Sequence, residues 1–189
     1  MTTSTTPTLD AERADLLDEL ATARASLVAT TQGLTDEQAS SRPTASALSV
    51  GALVKHVAGV EEGWQRFAVE GAAAQPYDLP EGVTWQDLVT GTAREFPQWA
   101  IDHQGGLQMR PDETLAGILE RYEQVAARTT ELLASIDLTT THALPAVPWH
   151  RPGEVRSVRK VFLHLIAETA QHAGHADILR ESIDGQVAG

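Results

Sequence analysis

Four long segments of this sequence repeat apolar residues at intervals of three and four, the spacing that turns one face of an α-helix towards a core. The first segment is "LDAERADLLDELATARASLVATTQGL", where Gly33 supplies the stop signal. The second is "VGALVKHVAGVEEGWQRFAVEG", which Ser49 caps and which runs to about Gly71. The polar stretch between them predicts at most one short helical turn, at residues 36–39.

The third and fourth segments follow in the second half of the chain. "PDETLAGILERYEQVAARTTELLASI" predicts a helix with Asp112 as its cap. Ser157 caps the fourth helix, which runs to about Ile183 and stops at Gly185. The pattern therefore predicts four long helices.

Two long connections separate these helices, residues 71–112 and residues 137–156. Both are rich in Pro, and they read as loops with one short helix near "TWQDLVTGTAREF". No segment alternates apolar and polar residues as a strand would. We therefore expect an all-α fold, a four-helix bundle with long connections. It forms one domain over residues 1–189, with residues 1–8 as a disordered tail.

Composition excludes several classes of function. The net charge of −12 argues against binding to nucleic acid or to an anionic membrane surface. The chain has no Cys, so disulfides, thiolate ligands and a cysteine nucleophile are all excluded. No apolar run approaches the roughly 20 residues that span a bilayer. The N-terminal residues do not have the pattern of a signal peptide, so a cytoplasmic location is expected.

The fourth helix carries an unusual set of polar residues, His164, Glu168, His172 and His175. At about 100° per residue, the three imidazoles lie within about 40° of Glu168 on the helical wheel. Val161 and other apolar residues share this sector. The set therefore lies on the face that should be buried, which excludes a solvated polar face. Two interpretations remain, a group of internally paired core residues or a metal site.

The second helix has a matching anomaly, because His56 falls inside its apolar stripe. A carboxylate such as Glu168 is unfavourable in a core unless it is paired or bound to a metal. Glu168 and His172 have the i, i+4 spacing that places two ligands on one face, and His56 offers a third from the facing helix. This pattern favours the metal site. The pair His172 and His175, at i, i+3, is an alternative pair of ligands.

Three ligands would leave coordination positions open for water or a substrate, as in catalytic metal sites. His164 and His175 would then contact the ligands or the substrate, and His164 could hydrogen-bond the carboxylate of Glu168. Near the start of the fourth helix, Trp149, His150 and Arg159 could contact a substrate. A role in core or loop packing is favoured for Trp149, and a surface or helix-end charge is the usual role of a residue such as Arg159.

The segments "VRSVRKVFLHLIAETAQHAGHADILRESIDG" and "LVKHVAGVEEGW" resemble the DinB-like (YfiT-like) superfamily of metal-binding four-helix bundles. In that superfamily one His of the second helix and two residues four apart on the last helix hold a divalent metal. The matching positions here are His56, Glu168 and His172. In having Glu at the middle position, the chain is similar to mycothiol-dependent maleylpyruvate isomerase. His175 stands where other branches often have Gln, which leaves the choice of ligands open.

The resemblance implies a metal-dependent transferase or isomerase that uses a low-molecular-weight thiol such as mycothiol, with zinc or nickel as the ion. A small electrophile would be the second substrate, and a homodimer is compatible with the resemblance. A metal-dependent hydrolase and a non-catalytic metal-binding stress or accessory protein are the alternatives. A third alternative is a plain helical bundle whose histidines only pack in the core.

The two long connections are expected to help form the walls of the metal cleft, since long connections in compact domains often cover a site. His103 and His142 lie within or next to these connections, and we expect both in loops without a role at the metal.

Overall fold

α-Helices make up most of residues 10–75 and 77–187, the part of the chain that this computed structural model describes. The tail predicted over residues 1–8 lies outside these residues. The described helices are α1 (Ala11–Ala29), α2 (Asp36–Ser40), α3 (Val50–Glu70), α4 (Trp85–Thr90), α5 (Gln98–Gly106), α6 (Leu115–Ser135) and α7 (Val158–Asp184). A 3-10 turn, Gly71–Ala74, follows α3 directly. No helix in these described ranges has the length and apolar character needed to cross a membrane.

The four long helices α1, α3, α6 and α7 form a bundle in which each packs against two of the others. α1 and α7 run in the same direction, and so do α3 and α6. The α3–α7 neighbours run in opposite directions. Because α3 and α6 are parallel, the chain between them must return along the length of the bundle. The first long connection is therefore a crossover, and the predicted all-α four-helix bundle is confirmed.

The ends of the long helices follow from capping side chains. The hydroxyls of Ser49 and Ser157 accept backbone N–H bonds from the first turns of α3 and α7, as predicted. The prediction of Asp112 as the cap of α6 is wrong. The hydroxyl of Thr114 accepts the N–H of Gly117 instead, so the helix begins two residues later. Both residue types can cap a helix, and the sequence alone does not rank two candidates this close together.

The second connection contains two short strands, although no sheet was predicted. β1 (Thr141–Ala143) and β2 (Val155–Ser157) pair antiparallel, with His142 opposite Arg156. Each strand has three residues, too few to show a period of two in the sequence. The hairpin-like pair leads directly into α7, whose cap is the last residue of β2.

Packing against α3 explains where this pair of strands lies. His142 is in β1 and not in a loop as predicted; its Nε2 lies 3.0 Å from the carbonyl oxygen of Ala68, and its ring packs edge-on against Phe67. Gly71 makes the approach possible. A Cβ at this position would lie 2.9 Å from Nδ1 of His142, and the φ angle of +67° also favours glycine.

The crossover contains a second helix, α5, that the sequence did not predict. Two glycines at its C-terminal end, Gly105 and Gly106, weaken the helical signal. Lys55 of α3 compensates, because its ammonium group donates to the carbonyl oxygens of Gly105 and Gln108, each at 3.0 Å. A cation at a helix C-terminus also interacts favourably with the helix dipole. The crossover is thereby attached to α3 one residue before His56.

A charged pair lies inside the bundle. Glu61 of α3 is fully buried and accepts hydrogen bonds from the guanidinium of Arg24 and the hydroxyl of Thr129. Gln65 adds a bond of 2.9 Å from its side-chain amide to the carbonyl oxygen of Val125. A buried carboxylate with this many partners is satisfied within the protein. The ion pair and the hydrogen bond from Thr129 thus connect α1, α3 and α6 inside the bundle.

We expect Glu61→Ala to destabilise the fold by about 3–5 kcal/mol, because the charge of Arg24 would remain buried without a partner. The matched control is Glu62→Ala, since Glu62 pairs with Arg121 and Arg128 at the surface, where an ion pair contributes about 0–1 kcal/mol. Urea denaturation of both variants measures the difference. Equal losses of unfolding free energy would show that the buried pair has no special role.

Candidate metal centre

The side chains of His56, Glu168 and His172 meet where α3 packs against α7. Oε1 of Glu168 lies 3.1 Å from Nε2 of His172 and 3.5 Å from Nε2 of His56. The two imidazole centroids are 5.0 Å apart. One ligand atom from each side chain lies within 4.8 Å of the other two. The structure therefore brings together the three residues that the sequence predicts as ligands, and all three are partly buried.

Buried neighbours hold the backbone at this group in place. His56 precedes Val57, which is 1% exposed, and His172 precedes Ala173, which is also buried. Both neighbours belong to the same apolar cluster between the helices. Glu168 lies one turn before His172 on α7, so a single helix face supplies two of the three groups.

The distances and the chemistry of the group fit a divalent ion. Zinc holds nitrogen and oxygen ligands at about 2.0–2.2 Å in a tetrahedron, which places neighbouring ligand atoms about 3.3 Å apart. The two separations from Glu168 lie on either side of this value. Two imidazoles and one carboxylate are also donors that zinc and related divalent ions accept. This His-Glu-His group could therefore hold a metal ion.

The environment of His56 favours the form of imidazole that binds metals. Burial lowers the pKa of His56, and positive charge on His172 would lower it further, while the carboxylate of Glu168 acts in the opposite direction. A neutral imidazole has a free ring nitrogen lone pair, which is the donor that a metal requires.

His175 lies beside this group without belonging to it. Its Nδ1 is 3.4 Å from Nδ1 of His172, and its side chain is exposed. The geometry places His175 next to the ring nitrogen of His172 that faces away from Glu168. Among the described residues, the group whose ligand atoms all lie within 4.8 Å of one another is His56, Glu168 and His172. The alternative pair, His172 and His175, does not form such a group with a carboxylate.

His164 packs against an aromatic ring and not against the carboxylate. Its ring lies edge-on to Trp64 with the centroids 5.1 Å apart. Among the described residues it makes no hydrogen bond to Glu168, the contact that the sequence suggested. Burial lowers the pKa of His164, and the positive charge of Arg156 lowers it further. His164 and Trp64 are partly buried, as are His56, Glu168 and His172, and we call the strip that these five side chains form between α3 and α7 the groove.

His103 is a residue whose position the sequence analysis predicted wrongly. It lies on α5 and not in a loop, and its ring is edge-on to His56 with centroids 6.1 Å apart. Trp99 precedes His103 by four residues, a spacing that is compatible with a helix here. The crossover thus brings a further imidazole to the edge of the group, where it remains exposed.

Arg159 does not face the site. Its guanidinium donates to the carboxylate of Glu12 on α1, with Nη2 3.1 Å from the acceptor oxygen. Arg159 precedes Glu168 by nine residues, which places the two side chains about 180° apart around the helix axis. Its proposed contact with a substrate therefore has no support in this geometry.

Trp149 belongs to an aromatic cluster that consists of Tyr77, Trp85, Trp99 and Trp149, of which the first three are partly buried. Each ring of this aromatic cluster has two neighbours within it, with centroid separations from 5.1 to 5.8 Å. Trp149 is 56% exposed, and its neighbour His150 bonds the carbonyl oxygen of Pro145. The cluster joins the tip of the second connection to the crossover. Trp149 therefore packs between loops, one of its two predicted roles.

Each of the two long connections reaches one end of this groove, and their role as walls of a metal cleft stays a prediction. The crossover reaches the end of the groove at His56 through His103 of α5. The second connection reaches the other end, where Arg156 of β2 lies over the ring of Trp64 beside His164. The group of three possible ligands lies between these two ends, on the walls that the helices supply.

Acid should destabilise the metal-free protein through its buried histidines. The pKa values of His56 and His164 lie below 6.5 in the folded state, so the unfolded state binds more protons as the pH falls through that value. We expect the unfolding free energy to decrease from about pH 7.5 to about pH 5.5, and less so in His164→Gln. Urea denaturation at both pH values measures this; the control is His175→Gln. An unchanged pH dependence in His164→Gln would contradict the expectation.

Comparison with known proteins agrees with this architecture. The chain resembles the crystal structure described as the conserved protein of locus from Enterococcus faecalis, with a TM-score of 0.58 and 14% sequence identity over 92% of this chain and 97% of that one. An identity this low establishes a shared fold only. None of the curated proteins matches the chain significantly.

The family described as mycothiol-S-transferase matches residues 15–185, which include all four long helices almost completely and every residue of the possible metal group. That family is part of the DinB/YfiT-like superfamily, in agreement with the resemblance seen in the sequence. The chain therefore belongs to the mycothiol-S-transferase family.

Proposed function

We propose that this protein is a metal-dependent transferase that joins a low-molecular-weight thiol, mycothiol, to a small electrophile. The observation that carries the proposal is the convergence of His56, Glu168 and His172 within 4.8 Å in an otherwise apolar helix interface. Membership of the mycothiol-S-transferase family supports the thiol. The ion is zinc or nickel, which sites rich in imidazole favour. A reduced thiol is a reagent of the cytoplasm, so the proposal includes a cytoplasmic location.

The chain has no Cys, so the reacting sulfur has to come from the co-substrate. A divalent ion in this group would act as a Lewis acid that keeps a thiol deprotonated at neutral pH. The sulfur then attacks the electrophilic carbon; the C–S bond forms, the leaving group departs with its electron pair, and the thiol proton passes to solvent. The role of the protein is to hold both reactants in the groove between α3 and α7.

Neighbouring side chains support the three proposed ligands. His175 lies 3.4 Å from the second ring nitrogen of His172, where a hydrogen bond orients that imidazole. His164 and Trp64 line the groove next to Glu168 and limit the positions that a substrate can take. We therefore assign His164 and His175 supporting roles and leave the ion to the other three residues.

Protein purified without an affinity tag should carry about one divalent ion per chain, and His56→Ala or His172→Ala should lose both the ion and thiol transfer. His175→Ala should weaken metal binding or turnover by about 10- to 100-fold, as is typical of residues that orient a ligand. Metal analysis and the conjugation of mycothiol to 1-chloro-2,4-dinitrobenzene measure these effects. His150→Ala is the control, since that ring bonds a loop carbonyl.

The outcomes of this experiment separate the alternatives. Full metal retention in a His56→Ala, His172→Ala double variant would exclude these residues as the ligands. A metal-bound protein that hydrolyses an activated substrate but does not transfer mycothiol or bacillithiol would be a hydrolase. Bound metal without any turnover would indicate an accessory metal-binding protein.

A further inference from the structure

Arg156 occupies the end of the α3–α7 groove opposite to His56. Its guanidinium carbon lies 4.5 Å from the centroid of the Trp64 ring, and Trp64 in turn contacts His164. Pairing with His142 in the two-stranded sheet holds Arg156 in register, and His142 is itself packed on α3. The position of this cation is therefore set by the fold.

Arg156 is partly buried, and no carboxylate among the described residues forms an ion pair with it. Within the described part of the chain, Arg24, Arg159 and Arg180 all form ion pairs, whereas Arg156 forms none. Its Nε is buried and has no acceptor among the protein groups. Glu154 attracts it but forms no ion pair with it. The chain has 26 acidic residues against 14 basic ones, so partners are plentiful and the position of Arg156 keeps them away.

The distance from this cation to the possible metal group suits one small molecule. His164, which lies next to Trp64, precedes Glu168 by four residues on the same side of α7, an advance of about 6 Å along the helix. A substrate the size of one substituted ring can therefore reach from the guanidinium towards Glu168. The guanidinium itself lies over the face of Trp64, which holds it at the Trp64 end of this distance.

We propose that Arg156 binds a carboxylate of the electrophilic substrate while the reactive carbon of that substrate lies towards His56, Glu168 and His172. The planar guanidinium is the group that best matches a carboxylate, through paired N–H donors. This inference rests on the proposed function and adds the class of substrate, an acidic electrophile. It also replaces Arg159, three residues away and paired with Glu12, as the arginine that contacts substrate.

The test compares 4-chloro-3-nitrobenzoate with its methyl ester, two probes with the same reactive carbon. In the transfer reaction the thiolate displaces chloride from that carbon, so a C–S bond replaces a C–Cl bond and the thiol proton goes to solvent. Calorimetry measures the binding of each probe to the protein as purified and after removal of metal by a chelator. We expect the acid to bind at least about 10-fold more tightly than the ester in both forms, the usual effect of hydrogen bonds to a charged group.

Arg156→Gln should remove the preference for the acid, and Arg156→Lys should reduce it. The matched control, Arg159→Gln, should leave it unchanged. Equal binding of acid and ester by the wild-type protein, or a preference that survives in Arg156→Gln, would overturn the inference. Loss of the preference in Arg159→Gln would overturn it as well.

These outcomes are independent of the proposed function. A protein that prefers the acid in the chelated form but does not transfer a thiol would retain the anion site and contradict the transferase. Transfer of mycothiol to acid and ester with equal KM would support the transferase and contradict the role of Arg156.

Discussion

The carboxylate of Glu168 lies inside the interface between two helices, and the rest of the site follows from satisfying it. A carboxylate shielded from water is unfavourable unless donors or a cation compensate it. His172 from the same helix and His56 from the facing helix do so here, at 3.1 and 3.5 Å. This requires α3 and α7 to lie side by side, and in this fold they run in opposite directions while α3 runs parallel to α6. The crossover that this topology demands brings His103 to the edge of the group.

A second buried carboxylate shows what a purely structural solution looks like. Glu61 is fully buried and is neutralised by Arg24, with Thr129 as a further donor, so nothing remains for an outside group to bind. Among the described residues, the polar partners of Glu168 are the imidazoles of His56 and His172, and its side chain is partly exposed. Imidazoles compensate a carboxylate fully only when they are protonated, yet burial lowers the pKa of His56. The contrast between the two carboxylates favours a divalent cation at Glu168.

Periodicity was sufficient to predict the four long helices, and the wheel positions of His56, Glu168 and His172 were sufficient to predict that they meet. Features that depend on contacts between distant segments were not predicted. α5 relies on Lys55 of α3 to satisfy its last carbonyls, and the strands at His142 and Arg156 are held by packing on α3. Near the start of α7 the sequence singled out Arg159 and not Arg156, because only the fold shows which of the two is paired.

Anomalous diffraction is the most direct measurement for the central claim, that two imidazoles and one carboxylate of α3 and α7 hold a divalent ion. Crystals of protein purified without an affinity tag would be measured on both sides of the absorption edge of the metal found by elemental analysis. We expect one anomalous peak at about 2.0–2.2 Å from Nε2 of His56, Nε2 of His172 and a carboxylate oxygen of Glu168, with no nitrogen of His175 in bonding range. A peak bonded to His175 in place of Glu168, or no peak between α3 and α7 in a metal-containing protein, would contradict it.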